Sequence, residues 1–234
     1  MTTARTIPRK TPGKTPGKAA AVRAAPEAPA LRERILATAE ALLEAEGLQA
    51  LSLREVARRA GVTHQAPYHH FADRESILAE LVAQGFDELA RRLAKANDAV
   101  AQARSLHAAG EAAAPDLRRA LLQAGSAYVG HAIEHPGIFR IMFRREVCDP
   151  ARFPAAMAAS ERSYLELLRL VALLHGGAQD AALISTYWAT VHGLAGLLID
   201  GPLAEQLPTL AAKRAHMRAT LAQFAAFVLG PARA

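Results

Sequence analysis

The stretch LSLREVARRAGVTHQAPYHHF, residues 51–71, decides the fold, because it predicts two short helices joined by a tight turn. Ser52 is a natural N-cap with Glu55 three residues later, which makes a capping box, and a glycine ends the first helix. We expect Thr63 to cap the second helix, so that Pro67 lies near the end of its first turn, where proline costs little. This arrangement is a helix-turn-helix.

The sequence on both sides of this stretch is also predicted to be helical. Residues 31–46 place apolar side chains on one face at a spacing of 3.6 residues, and Gly47 follows as a C-terminal cap. Downstream, Asp73 is the expected N-cap of a long helix with a buried apolar stripe. The later helices, separated by prolines and glycines, are expected near residues 115–134, 136–146, 153–175, 179–200 and 208–229.

Composition agrees with an all-α fold of about nine helices. The chain has 234 residues, of which 51% are hydrophobic, and its Ala-, Leu- and Arg-rich runs contain few β-branched residues. We expect a disordered basic tail in residues 1–30, a helix-turn-helix domain in residues 31–76 and a second helical domain in residues 77–234. The tail holds six basic residues and one acidic residue, so it carries most of the net charge of +6. Such a tail either adds phosphate contacts or only raises solubility.

Several classes of protein are not expected from this sequence. The single cysteine, Cys148, cannot form a disulfide within the chain, and the N-terminus lacks the apolar core of a secretory signal. The most apolar window is interrupted by Asp200 and Pro202, short of the roughly 20 residues that span a bilayer. We therefore expect a cytoplasmic protein without a membrane segment.

Over roughly residues 31–80 the sequence resembles the TetR (tetracycline-repressor-like) family of transcription regulators, through RERILATAEALLEAEGLQALSLREVARRAGVTHQAPYHHFADRESIL. The resemblance implies an N-terminal three-helix DNA-binding domain whose recognition helix enters the major groove. The sequence departs from the family pattern at Arg74, where lysine is common, and at Pro67, where an aliphatic residue is common.

The polar side chains near the start of the recognition helix are the candidates for contact with DNA. Glutamine can pair with adenine through two hydrogen bonds, and histidine and threonine can bond to base edges. We expect base contacts from Thr63, His64, Gln65 and His69. We expect phosphate contacts from Ser52, Arg54, Tyr68, His70 and Arg74. Zinc binding by His64, His69 and His70 is not expected. His69 and His70 follow His64 by five and six residues, and no further ligand lies nearby in the sequence.

The second half of the chain resembles the TetR subgroup whose C-terminal domain is named for Trp, His and Gly, through HPGIFRIMF at residues 135–143 and WATVHG at residues 188–193. Trp188 and His192 are i,i+4 neighbours on one helical face, where they can line a cavity for an apolar or amphipathic molecule. An ordinary core or dimer contact is the alternative for Trp188. The candidate ligand pocket consists of Phe86, Tyr128, His131, Phe139, Met142, Phe143, Trp188 and His192.

The resemblance also implies that the last two helices form a four-helix dimer interface with a second copy. The sequence thus predicts a ligand-binding and dimerisation domain in residues 77–234, and a homodimeric repressor that a small effector releases from a palindromic operator in double-stranded DNA. No enzymatic activity, cofactor or metal is expected. Two alternatives stay open: a zinc hydrolase, because HAIEH at residues 131–135 matches the pattern H-x-x-E-H, and a related DNA-binding protein without a ligand response.

Overall fold

The computed structural model describes residues 1, 28–108, 117–149, 152–177 and 180–229, and all regular secondary structure in these ranges is helical. The expected all-α fold is confirmed. Besides two short 3₁₀ helices, nine α-helices occur in the described residues: α1 (Ala28–Glu46), α2 (Leu53–Ala60), α3 (Arg74–Ala108), α4 (Leu117–Glu134), α5 (Pro136–Met142), α6 (Pro154–Leu174), α7 (Ala181–Ile199), α8 (Pro202–Gln206) and α9 (Leu210–Leu229).

The C-terminal end of α1 and both ends of α2 lie at the residues that the sequence predicts. Gly47 follows α1 with a φ of 78°, in the left-handed region that favours glycine. Ser52 caps α2 through its Oγ, which accepts the Glu55 N–H at 3.2 Å. The Glu55 carboxylate does not complete the capping box, because it binds the guanidinium groups of Arg58 and Arg59 instead.

The second helix of the helix-turn-helix is shorter than predicted. Residues 64 and 65 form a turn, and only Ala66–His69 is helical, in the 3₁₀ form. The Ala66 N–H bonds to the Thr63 carbonyl at 3.0 Å, three residues back. In an α-helix the N–H of residue 67 would bond to the Thr63 carbonyl, four residues back. Because proline has no N–H, an α-helical turn cannot start at Thr63.

Three other boundaries differ from the prediction. α1 begins at Ala28, so the last three residues of the predicted tail are helical, while residues 2–27 lie outside the described residues. α5 ends at Met142, before the predicted end at residue 146. The break predicted at Gly201 and Pro202 contains the short helix α8, because proline is well suited to the first position of a helix.

One hydrophobic core joins the two predicted domains. Helix α3 runs without interruption across the predicted boundary between residues 76 and 77. The buried cluster extends from Leu42 in α1 through Ile77 in α3 to Ile138 in α5 and Leu198 in α7. A second cluster lies between α4, α6, α7 and α9. The division of the chain into two domains therefore stays a prediction.

Helix α7 is the one helix in the described ranges that is long and apolar enough to cross a bilayer by length and composition. In the structure it packs against α4, α6 and α8, and 33% of its most apolar window is buried inside the protein. Core helices of soluble proteins pass the same test, so this helix is weak evidence for a membrane segment. The expectation of no membrane segment stays a prediction.

Candidate DNA-binding surface and internal cavity

The turn between α2 and α3 exposes all four residues that we expect to contact bases. The side chains of Thr63, His64, Gln65 and His69 are exposed to solvent, whereas Pro67 in the same turn is buried. The Nε2 atoms of Gln65 and His64 lie 3.1 Å apart, so the amide and the imidazole form one polar unit. These groups offer the donors and acceptors that base edges require, and their contact with DNA stays a prediction.

Three of the residues expected to contact phosphates are exposed as well. Ser52 stands at the N-terminus of α2, where the helix dipole favours an anion, and Arg54 follows it. The Tyr68 side chain is 51% exposed. His70 is half-buried, with its ring centroid 6.5 Å from that of Phe71.

Arg74 lies in a different environment from the predicted one. Its Nε donates to the Leu51 carbonyl at 2.7 Å and its Nη2 donates to the Leu48 carbonyl at 2.5 Å. The side chain therefore ties the start of α3 to the 3₁₀ turn Leu48–Ala50. The structure gives Arg74 a structural role, since it satisfies these two carbonyls. Its predicted phosphate contact stays a prediction.

The charged residues of α2 are paired with one another. Hydrogen bonds from Arg58 and Arg59 lower the pKa of Glu55 to about 2, so the carboxylate is ionised throughout the neutral range. Arg59 also pairs with Glu46 at the end of α1. Arg58 and Arg59 thus both form ion pairs with neighbouring carboxylates. For Arg54, the third arginine of α2, the structure shows no carboxylate partner among the described residues.

A cavity of about 280 Å³, bordered in part by the exposed side chains of Tyr164 and Trp188, lies between α3, α4, α6 and α7. Its volume is comparable with that of the smaller ligand pockets, about 300 Å³. Four residues of the predicted pocket line it: Phe86, Tyr128, Phe143 and Trp188. The lining residues that sequence reasoning missed include Leu89, Leu93, Leu121, Leu170, Glu161 and Glu166. Their helical spacing marks an inward face, but spacing alone does not tell a packed face from one that borders a void.

Tyr128 holds a hydrogen-bond network in one wall of the cavity. Its hydroxyl accepts the Trp188 Nε1–H at 3.3 Å and lies within hydrogen-bond distance, 2.9 Å, of His192 Nδ1. Burial raises the pKa of Tyr128 and lowers the pKa of His192. The phenol is therefore protonated and the imidazole neutral near pH 7, and the Tyr128 hydroxyl has two hydrogen-bond partners, Trp188 and His192.

Three residues of the predicted pocket support the walls of the cavity without lining it. Phe139 is buried with its ring centroid 5.8 Å from Tyr128 and 5.3 Å from Phe143. Met142 is buried against α3 at Gly85, and His192 lies behind Tyr128. Phe139, Met142 and His192 are therefore not among the side chains that line this cavity, although Met142 and His192 line neighbouring recesses that share Phe143 and Trp188 with it. Their contact with a ligand stays a prediction.

His131 lies outside the cavity, contrary to the predicted pocket. Its side chain is 2% exposed and borders a separate, more polar recess together with Glu40, Glu88 and His135. Neither ring nitrogen has a hydrogen-bond partner in the described part of the chain. Burial, and then the neighbouring His135, lowers the pKa of His131 to about 4, so the ring is neutral at pH 7.

The glutamate of the H-x-x-E-H pattern pairs with two arginines. Glu134 accepts hydrogen bonds from Arg92 at 2.8 Å and from Arg214 at 2.6 Å, and the ring centroids of His131 and His135 lie 5.3 Å apart. Among the described residues, no group of three or more His, Cys, Asp or Glu side chains is placed to hold a metal ion. The glutamate of the pattern is therefore engaged in ion pairs.

The start of α5 is held by α1, at a joint that sequence reasoning missed. The Glu44 carboxylate accepts the N–H groups of Gly137 at 2.7 Å and of Ile138 at 2.9 Å. Position 137 needs glycine, because a Cβ there would lie 2.8 Å from the Leu43 carbonyl oxygen. Since α5 leads directly to Phe143 in the cavity wall, the carboxylate connects the helix-turn-helix with the surroundings of the cavity.

Comparison with known proteins identifies relatives of both halves of the chain. The family model described as bacterial regulatory proteins, tetR family, matches residues 35–81, and the model described as tetracyclin repressor-like, C-terminal domain, matches residues 121–224. Neither description names the subgroup expected from residues 188–193, which stays a prediction. No curated protein matches the chain.

Solved structures share the fold over most of the chain. A protein of unknown function from Rhodococcus sp. RHA1 is 30% identical, with a TM-score of 0.61 over 83% of this chain and 94% of that one. The TetR family transcriptional regulator PfmR from Thermus thermophilus is 21% identical, with a TM-score of 0.59 over 87% and 97% of the two chains. A bacterial regulatory protein in the tetR family from Rhodococcus RHA1 is 17% identical, with a TM-score of 0.61 over 87% and 98%.

Proposed function

The chain belongs to the TetR family of bacterial regulatory proteins, and we propose that it is a ligand-responsive homodimeric repressor, which a small apolar or amphipathic effector releases from a palindromic operator. Members of this family are DNA-binding transcription regulators and not enzymes, and the chain is a regulator of this kind. A cytoplasmic location is part of the proposal.

The exposed turn carries the proposal of sequence-specific binding. Thr63, His64, Gln65 and His69 face solvent on a turn in which Pro67 is buried, so the groups that would read bases are free. Arg54, Tyr68 and the N-terminus of α2 at Ser52 would position the turn by binding phosphates.

Exposed apolar side chains on α7 and α9 support dimerisation. Leu197 on α7 is 45% exposed and Phe227 on α9 is 91% exposed, although water is an unfavourable environment for both. The small residues Ala189 and Gly193 are also exposed on α7 and would allow a second helix to approach closely. A two-fold dimer of this chain would place two recognition turns on the two halves of a palindrome.

The cavity and the joint between α1 and α5 support the ligand response. An effector that enters the cavity would contact Phe143, which directly follows α5, and a shift of α5 would act on α1 through Glu44. The effector and the operator would then favour different orientations of the helix-turn-helix. Because the two equilibria are linked, each ligand weakens the binding of the other by the same factor.

Selection of bound duplexes from a randomised DNA pool at near-physiological salt tests the DNA-binding part. We expect the wild type to enrich a palindrome, and Tyr68→Ala to lose most of the enrichment. Leu165→Ala is the control, because Leu165 is a large side chain that is 59% exposed on α6 and does not line the cavity. Recovery of unrelated sequences by the wild type, or equal loss in both variants, contradicts the proposed readout.

A further inference from the structure

We propose that the effector is an apolar amine, whose protonated nitrogen binds Glu166 at the end of the cavity between α3 and α6 while its hydrocarbon part fills the space between the leucine and aromatic side chains. This inference rests on the proposed ligand response, because it names the chemical class of molecule that the cavity accepts.

The charge of the cavity wall favours a cation. Glu161 and Glu166 are the charged side chains among the described residues that line the cavity, and no lysine, arginine or histidine lines it there. Most of the remaining wall is apolar, which lowers the local polarity and strengthens the attraction between a carboxylate and a cation. An anionic effector would instead bring a third negative charge into a space of low polarity.

The Glu166 carboxylate is held in position by a buried amide. Asn97 on α3 is fully buried, and its Nδ2 donates to the Glu166 carbonyl at 2.9 Å and to Glu166 Oε2 at 2.9 Å. Arg169 reaches the same Oε2 at 3.5 Å, but its closer partner is Asp98 at 2.6 Å. No hydrogen bond to the other carboxylate oxygen, Oε1, is formed within the described part of the chain, so this oxygen can accept a donor from a ligand.

The Asn97 amide next to Glu166 donates two hydrogen bonds to that residue. The two bonds from Asn97 fix the orientation of its amide, because both partners are acceptors, and its Oδ1 has no partner in the described ranges although it is buried. Asn97 lies one helical turn beyond Leu93, which lines the cavity. A protonated amine carries several N–H donors, and this is the kind of group that the free oxygen of the Glu166 carboxylate in the cavity wall accepts.

The polar groups of Tyr128, Tyr187 and Trp188 in the wall have partners within the protein, so they do not call for a polar effector. The Tyr128 hydroxyl bonds to Trp188 and lies within hydrogen-bond distance of His192, and the Tyr187 hydroxyl lies 2.8 Å from His175 Nε2. The part of the ligand remote from Glu166 therefore meets apolar surface. An unbranched or aromatic hydrocarbon attached to the amine matches this distribution.

Trp188 is the single tryptophan of the chain and lines the cavity, so its fluorescence reports occupancy directly. We would titrate the full-length protein at pH 7 with octylamine, 1-octanol and octanoate, which share one hydrocarbon chain and differ in charge. We expect octylamine to bind on the order of 10- to 100-fold more tightly than 1-octanol, the range for a hydrogen bond to a charged group, and octanoate to bind most weakly.

Two variants identify the group responsible. Glu166→Gln keeps the shape of the side chain but removes its charge, and we expect it to lower the affinity for octylamine to about that for 1-octanol. Unchanged binding of 1-octanol by this variant shows that its cavity is intact. Glu205→Gln, on α8 outside the cavity, should bind all three probes like the wild type.

Two results would overturn the inference: equal affinities for octylamine and 1-octanol in the wild type, or a preference for octylamine that survives in Glu166→Gln. A separate measurement of DNA affinity with and without octylamine distinguishes this failure from that of the proposed function. Selective, Glu166-dependent binding that leaves DNA affinity unchanged supports the amine site and overturns the ligand response.

Discussion

Replacement of Glu44 by alanine tests whether the joint between α1 and α5 holds the two parts of the protein together. The carboxylate accepts two backbone N–H groups, at 2.7 and 2.9 Å, from residues that are themselves buried. A buried donor that loses its partner costs about 1 to 3 kcal/mol, and the lost charge at the start of α5 costs several tenths more. Glu44 is half-exposed, so water replaces part of the loss, and we expect the free energy of unfolding to fall by about 2 to 3 kcal/mol.

Urea denaturation followed by circular dichroism measures this change. For a chain of this length each kcal/mol lowers Tm by roughly 2 to 4 °C, so Glu44→Ala should melt about 4 to 12 °C below the wild type. Glu33→Ala is the control, because Glu33 is an exposed glutamate of the same helix, and it should stay within about 0.5 kcal/mol of the wild type. A loss for Glu44→Ala no larger than that of the control would refute the reasoning that this carboxylate caps α5.

Two further predictions concern α4. Gly125→Ala should destabilise the protein by about 1 to 3 kcal/mol, because the new Cβ would lie 2.8 Å from Leu221 Cδ2. Gly130→Ala in the same helix should stabilise the protein by about 0.5 to 1 kcal/mol, because the space around its Cβ is open. Urea unfolding midpoints of the two variants that fall in the reverse order would exclude this account. The pKa of His131 in the folded protein is lowered from 6.5 to about 4, so the unfolded chain binds the proton first and the wild type should lose stability as the pH falls from about 6.5 to 4. His131→Leu should lose much less over that range, and equal pH dependence of the unfolding free energy in both proteins would contradict the buried, neutral state of the ring.

Local interactions explain why much of the helix-turn-helix could be predicted from the sequence. Ser52, Gly47 and Asp73 act on backbone groups within four residues of themselves, so their roles follow from spacing alone. Arg74 could not be placed in this way, because the carbonyls that it binds belong to residues 23 and 26 positions away. Glu44 bonds to groups 93 and 94 positions away, across most of the fold.

The cavity was predicted only in part, for a related reason. The aromatic residues Phe86, Tyr128, Phe143 and Trp188 stand out in the sequence by size, and the structure brings them together around the void. Leucines and glutamates of α3, α4 and α6 line the same void, but a 3.6-residue period is identical for a helix that faces a packed core and one that faces a cavity. His131 has the polarity of a ligand contact but lies on a face of α4 that turns toward α1 and α3.

The core that runs from α1 through α3 to α5 and α7 bears on how new operator specificity can arise in such a protein. A chimera that joined residues 28–76 to another C-terminal part would have to fit Leu43 against a new helix start and rebuild the buried surface around Ile77 and Ile138. Substitutions at Thr63, Gln65 or His69 disturb no such surface, because these side chains face solvent. Evolution of this regulator toward a different DNA sequence is therefore easier by single replacements in the turn than by recombination of gene segments.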